Sequence, residues 1–260
     1  MKTTGPQRIV CLTEETCEWL YLLGEERRIV GISAYTVRPA RAAREKPRVS
    51  AFLSGNIKKI KALKPDLVIG FSDIQADLAQ KLIKEGLNVL VTNQRSLREI
   101  TETLRLVANL VGQQPRGEKL IRDWEKKLGR IRKSVAGKKK PGVFFQEWDD
   151  PVITAIGWVA ELIHICGGKN IFGGKSHAMA KDRIIDLSAV AKAKPEVIIG
   201  SWCGKPVDFE WIRTRTELAD TPAVKNGRLF EIDSADILQP GPALFLDGVD
   251  RLYEAIWRIP

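Results

Sequence analysis

The chain has 260 residues, of which 44% are hydrophobic and 28% charged, with a formal net charge of +10. That balance belongs to a soluble globular protein with one large core or two ordinary ones, and no run approaches the roughly 20 apolar residues a membrane span needs. The basic residues gather at 38–48, 58–64 and 126–140 with little aromatic interleaving, so they read as solvated surface and not as a nucleic-acid face.

The opening, MKTTGPQRIVCL, carries no hydrophobic leader ahead of its first strand. Either the protein is cytoplasmic, or an export signal was trimmed and Met1 added. Residues 8–12 read as a short β-branched strand, and Thr13-Glu14-Glu15-Thr16 caps a helix carrying Trp19, Leu20 and Leu23 that Gly24 ends. Residues 29–32 form the next strand. The loop over 33–48, with Tyr35 and Arg38, is too long and polar for a plain connection, and loops at the carboxyl ends of parallel strands are where ligands bind. Phe52 sits ahead of a helix capped by Ser54 or Asn56, where it either faces a cleft or packs under its loop. Phe71 directly follows the strand LVIG and precedes the helix-start pair Ser72-Asp73.

A strand at 86–91 and a helix at 97–111 complete this half. Over 116–135, apolar residues at 121, 124, 128, 131 and 135 step by three and four, the stripe of a helix of about five turns. Pro115 suits its start, and Gly137 with Pro141 its stop.

Beyond that helix the pattern repeats. K-A-L-K-P-D-L-V-I-G at 61–70 is answered by K-A-K-P-E-V-I-I-G at 192–200, each a helix end, a Lys-Pro-acid turn and an apolar strand. A first strand at 142–146 leads to Glu147 and Trp148, Trp158 opens the next helix after Gly157, and Trp202 holds the place that Phe71 has in the first half. A strand at 227–232 and a helix at 243–256 follow. Repeats in fixed order, strand alternating with helix, predict two Rossmann-like α/β lobes with parallel sheets (1–113 and 141–260), joined by one long helix (114–140), with a ligand cleft between the lobes. The aromatics at strand ends would line that cleft and be partly exposed without ligand.

Catalytic signatures do not stand out. His164 falls on the apolar helix WVAELIHIC and reads as buried or half-buried, while His177 lies in a Gly-rich loop able to reach the cleft. Two histidines make no metal cluster, and neither a dinucleotide fingerprint, a P-loop nor a nucleophile elbow occurs. Asp149 and Asp150 before Pro151 are ordinary turn residues. Cys11, Cys17, Cys166 and Cys203 lack metal-finger spacing and read as free, partly buried thiols; a disulfide would require export.

The segments I-x-x-L-K-P-D-L-V-I, F-F-Q-E-W-D-D-P, C-G-G-x-N-I-F and Q-P-G-P, in this order over most of the chain, resemble the helical-backbone (class III) periplasmic substrate-binding proteins of ABC importers, and within them the cobalamin-binding branch. The resemblance implies a non-enzymatic, monomeric receptor for cobalamin or a related corrinoid or tetrapyrrole, acting in vitamin uptake with an ABC permease as partner, in the periplasm or an equivalent space. It places Tyr35, Phe52, Phe71, Trp148 and Trp158 at pocket-lining positions, and leaves Trp202 beside them. With Glu147 and His177 from the chain reading, these are the ligand-binding candidates; no catalytic residue and no metal site are assigned. The chain departs from the family at Lys58-Lys59, where a docking carboxylate belongs, and at Ile237 and Gln239, where a large aromatic and an Arg are common. An iron–siderophore receptor, suited by the basic loop at 38–48, and a cytosolic corrinoid-handling protein or enzyme are the alternative readings.

Overall fold

The computed structural model describes residues 5–175 and 179–258, and the chain falls into two α/β units. The first runs to Gln94 and resumes over Arg98–Arg122; the second takes Arg95–Leu97 and the chain from Asp123 onward.

In the first unit the strands are β1 (Ile9–Cys11), β2 (Ile29–Ser33), β3 (Arg48–Ser50), β4 (Leu67–Phe71) and β5 (Val89–Thr92). They form one parallel sheet in the order β3-β2-β1-β4-β5. The central strands are apolar without alternation because helices cover both faces, so every residue of β1 is buried. The helices are α1 (Glu14–Leu22), α2 (Ala40–Glu45), α3 (Ile57–Ala62), α4 (Ala76–Lys84) and α5 (Leu97–Leu110), followed by α6 (Gln114–Ser134). A core of Val10, Leu12, Val49, Ile60, Val68, Leu78 and Leu82 lies on one side of the sheet.

The apolar stripe of α6 is buried at Ile121, Trp124 and Val135. Its first turns belong to the first unit, where Gly117 allows the close approach: a Cβ there would lie 2.7 Å from that of Ala108 and 3.3 Å from Trp19. Its later turns belong to the second, where Trp124 stacks on Phe245 at 5.0 Å and Lys127 donates to the Phe245 and Leu246 carbonyls.

The second unit contains β6 (Gly142–Asp149), β7 (Val152–Thr154), β8 (Lys169–Asn170), β9 (Val197–Gly200) and β10 (Leu229–Glu231). The order is β10-β9-β6-β7, with β8 pairing the start of β6. All pairs are parallel except β6 with β7, a hairpin that turns at Asp150-Pro151. The sequence reading ended this strand at residue 146 and saw only a turn beyond. The helices are α7 (Gly157–Ile165), α8 (Leu187–Ala193), α9 (Phe209–Thr214), α10 (Thr216–Ala219), α11 (Pro222–Lys225), α12 (Ser234–Ile237) and α13 (Val249–Trp257). A π-helical segment over Leu244–Gly248 leads into α13 where the sequence pattern predicts plain helix. At its end a Cβ on Gly248 would sit 2.4 Å from the Asp236 carbonyl oxygen, so only glycine fits.

The repeated Lys-Pro-acid turn does the same work in both units. Lys64 and Lys194 adopt left-handed backbone, with φ of 46° and 48°, which stops the helix before them. The acid then anchors the first strand of its sheet. Asp66 accepts the N–H groups of Gln7 and Arg8 at 2.6 and 2.9 Å, and Glu196 accepts that of Gly142 at 2.8 Å. These bonds to Gly142, with Lys139 beside it, hold the Glu196 carboxyl below its usual range.

Candidate functional site

Parallel α/β units bind ligands beyond the carboxyl ends of their strands. In the first unit, β1 leads into three buried glutamates on α1. The Thr13 hydroxyl donates to Glu15 Oε1 at 2.6 Å, the Val37 N–H to Glu14 Oε2 at 2.6 Å, and Arg38 Nε to Glu18 Oε1 at 2.9 Å. Glu14 Oε1 and Glu15 Oε2 have no partner among the described residues. Burial pushes both carboxyls up to about 7; the Val37 N–H draws Glu14 partly back, and the Thr13 hydroxyl does the same for Glu15. Burial also pushes the Cys17 thiol up to about 12 and raises that of Cys11, so both stay protonated and unreactive. Cys11, Cys17 and Cys166 are buried free thiols and Cys203 is exposed.

One side chain organises the next strand end. Gln75, fully buried, accepts the Phe71 N–H at 3.0 Å through Oε1, and its Nε2 donates to the carbonyls of Phe52 at 2.8 Å and Leu12 at 3.4 Å. Between Phe71 and Gln75, Ser72 holds φ at 62°, a conformation costly for a non-glycine residue and common where a binding loop is shaped. Phe71 is only 6% exposed, Phe52 is half-buried, and Tyr35 is 60% exposed. The basic loop is less free than its composition suggests. Arg38 pairs with Glu18, Arg41 with Glu45, and Lys46 donates to the Glu26 carbonyl.

In the second unit, Glu147 forms a two-point ion pair with Arg183, at 2.6 and 2.9 Å. Arg183 is buried and also donates to the Thr154 carbonyl. Lys205 sits between two indoles, 4.3 Å from the Trp148 ring and 5.0 Å from that of Trp202, with its Nζ 2.8 Å from both Asp149 oxygens. Trp148 is half-buried, its Nε1 donating to the Asp150 carbonyl at 3.0 Å. Trp202 is 3% exposed, edge-on to Trp211 at 6.0 Å, and part of the core with Phe144 and Ile198; its Nε1 lacks a partner. Gln146 ends the parallel part of β6 opposite Gly200, and the Ser201 N–H donates to its carbonyl at 2.9 Å. Both amide atoms of the Gln146 side chain and the Ser201 hydroxyl are buried without partners.

Phe71 and Trp202, expected to be partly exposed, are buried at 6% and 3%, and two further expectations are corrected here. Trp158 is not partly exposed: it is 2% exposed and its Nε1 donates to the Ile237 carbonyl at 3.0 Å, because α7 is apolar on nearly every side and its first turn points inward. His164, expected to be buried, is exposed on the same helix. His177 lies outside the described residues. Thus Trp148 and Trp202 meet around Lys205, Phe52 and Phe71 are tied through Gln75, and Tyr35 stands apart on its loop. Gln75, Gln146, Arg183, Ser201 and Lys205 were not singled out by the sequence reading. Only Lys205 left a signal, a cation one tight turn beyond Trp202, where Gly204 has φ of 76°.

Two units with covered parallel sheets, each presenting aromatic and unpartnered polar groups at strand ends, define a two-unit α/β ligand-binding fold. The chain belongs to the periplasmic binding protein family, whose pattern it matches over residues 9–235. It is 25% identical over 239 residues to the vitamin B12-binding protein of Vibrio parahaemolyticus, covering 91% of this chain and 84% of that one. Among solved structures it resembles the periplasmic vitamin B12 binding protein BtuF of Vibrio cholerae, with a TM-score of 0.77, 25% identity and 96% of each chain covered. A periplasmic heme binding protein from Pseudomonas aeruginosa shares the fold, with a TM-score of 0.82, 23% identity, and 97% of this chain and 93% of that one covered.

Proposed function

We propose that this protein binds cobalamin or a closely related corrinoid and hands it to an ABC permease, without performing chemistry on it. The observation that carries this reading is where buried polar atoms lack partners. Among the described residues with such atoms, Glu14, Glu15, Thr36 and Ser50 in the first unit, and Gln146, Ser201 and Trp202 in the second, lie at or just beyond strand carboxyl ends; Asn170 and Arg228, towards the other end of the second sheet, and Arg183 are the remaining ones. Buried polar atoms are normally satisfied, so such a concentration suits a ligand that brings its own donors and acceptors. A corrin ring is broad and apolar with an amide fringe, and each unit by itself offers aromatic faces beside such polar atoms, Tyr35 and Phe52 in the first and Trp148 in the second. The vitamin B12-binding relatives support the same ligand class, and we place the protein outside the cytoplasm as a monomeric receptor. Among the described residues no group of three or more His, Cys, Asp or Glu could hold a metal, and no helix is long and apolar enough to cross a membrane.

Haem is the second reading, favoured by Tyr35: an exposed phenol on a binding loop is a suitable iron ligand. A siderophore is the further alternative: Arg38, Arg41 and Lys46 of the basic loop are engaged within the protein, while Arg44 and Arg48 are exposed.

Equilibrium dialysis of the purified protein against cyanocobalamin and against hemin tests both. Cyanocobalamin should be retained, with little dependence on salt, since the ligand is near neutral. Trp148→Ala should weaken binding by about 1–3 kcal/mol and leave the melting temperature nearly unchanged. Trp158→Ala should instead cost about 3–5 kcal/mol of stability, as a truncated core residue does. No uptake at roughly tens of micromolar cyanocobalamin removes the corrinoid reading. Hemin uptake that Tyr35→Phe abolishes would put haem in its place.

A further inference from the structure

The second unit has a cavity of about 620 Å³ at the other end of its sheet. Lys169 and Asn170 of β8 line it, and these pair with Gly142 and Val143, the first residues of β6. It is therefore at the amino ends of the strands, away from the carboxyl-end groups described above. Arg132 from the last turn of α6, Lys140 ahead of β6, and Glu161 and His164 from α7 complete its polar lining.

The lining is unbalanced. Among the described residues Arg132, Lys140 and Lys169 have no ion-pair partner, whereas neighbouring Lys139 is paired with Glu196. Glu161 is the one acid present, and its Oε2 already accepts the Leu97 N–H at 3.0 Å. Asn170 adds a buried donor, Nδ2, with no partner among the described residues. A cation in the last turn of α6 would be unremarkable as compensation for the helix carbonyl ends. Lys140 and Lys169 lie outside that helix, and a buried orphan amide does not follow from that account. Apolar Ala160 and Ile165 form part of the wall, and the volume exceeds what a bare ion fills.

We infer that this cavity is a second binding site, for a phosphate-bearing organic anion of nucleotide or lipid-headgroup size. Phosphate oxygens would take charge-assisted bonds from Arg132, Lys140 and Lys169 and accept from Asn170 Nδ2, with the organic part against Ala160 and Ile165. The inference stands independently of the corrinoid reading.

The test uses the intact protein and three probes: ATP, inorganic pyrophosphate, and phosphatidylcholine vesicles with or without phosphatidylglycerol. The triple variant Arg132→Gln/Lys140→Gln/Lys169→Gln is compared with a charge-matched control in exposed lysines of the first unit, Lys58→Gln/Lys59→Gln/Lys81→Gln. The wild type should retain at least one probe, and the cavity variant should lose about tenfold or more in affinity while the control stays within about twofold. Retention of ATP or pyrophosphate identifies a free phosphorylated ligand; flotation with phosphatidylglycerol vesicles alone identifies a headgroup. The melting temperature should be equal in both variants, which separates loss of this site from loss of the fold. Retention of no probe overturns the inference. So does equal weakening by the two triple variants, which would mean diffuse surface charge.

Discussion

Each unit carries carboxylates where its first strand gives way to the following segment, and the two meet the cost of burying them in opposite ways. Glu14 and Glu15 lie where burial dominates and each keeps one oxygen without a partner, so both hold a proton up to about pH 7. In the second unit Glu147 takes both ends of the Arg183 guanidinium and Asp149 takes Lys205. An unpaired buried charge is costly, and a protein can remove it either with a proton or with a countercharge. The choice has consequences for what each site can offer. A carboxyl kept neutral can donate a hydrogen bond and responds to pH, while an ion pair fixes the orientation of its partners.

The largest effect that would break this contrast comes from Arg183. Replacing it by Met leaves Glu147 without its cation, and urea denaturation should show a loss of about 3–5 kcal/mol, part of which returns in the Arg183→Met/Glu147→Gln double variant. A cost near zero for the single variant would mean that the pair does not hold this end of β6.

An intermediate effect concerns the protonated side. The unfolded chain releases the protons of Glu14 and Glu15 near the ordinary value of 4.5, whereas the folded state keeps them until about 7. The native state thus binds more protons across that window, so stability from these groups is present at low pH and is lost as pH rises from 4.5 through 7. Glu15→Gln, which mimics the protonated form, should flatten the decline and leave the variant about 3 kcal/mol more stable than wild type at pH 8. Melting temperatures measured from pH 4.5 to 8 decide it; parallel curves for the two proteins would sink the protonation account.

The smallest effect belongs to Lys205. It is 40% exposed, and its ion pair with Asp149 and its contacts with two indoles are partly screened. Lys205→Met should cost less than about 1 kcal/mol, and a double-mutant cycle with Asp149→Asn should give a coupling of similar size. A coupling of several kcal/mol would show that the second unit depends on this pair as heavily as on Glu147 and Arg183.

Much of the fold was legible because parallel strands covered on both faces write themselves as unbroken apolar runs, as at Leu67–Phe71 and Val197–Gly200. The stripe of α6 and the two Lys-Pro-acid turns were legible for the same reason: each is a local pattern. The role of the acids was not, since Asp66 and Glu196 act on N–H groups more than fifty residues away. At the site, position could be read but depth could not. Trp148 and Trp202 fall at strand ends as the repeat implies, yet the indole of Trp158 is fixed by a carbonyl 79 residues further on. The hairpin partner β7 is three residues long, too short to show a period. The proton on Glu15 and the unpartnered amide of Gln146 are properties of what surrounds them, and no spacing in the chain encodes that.

Gln75 bears on how this protein could change its cargo. Its amide joins the loops at Leu12, Phe52 and Phe71 through one side chain, so a substitution in any of these loops shifts the footing of the other two. Effects of mutations there should not add, because groups sharing one hydrogen-bonded hub respond together. Selection for a new ligand cannot then tune these loops one at a time. On the proposed binding role, Phe52 and Phe71 would change as a block, and the tunable positions would be those outside the clasp, beginning with Tyr35.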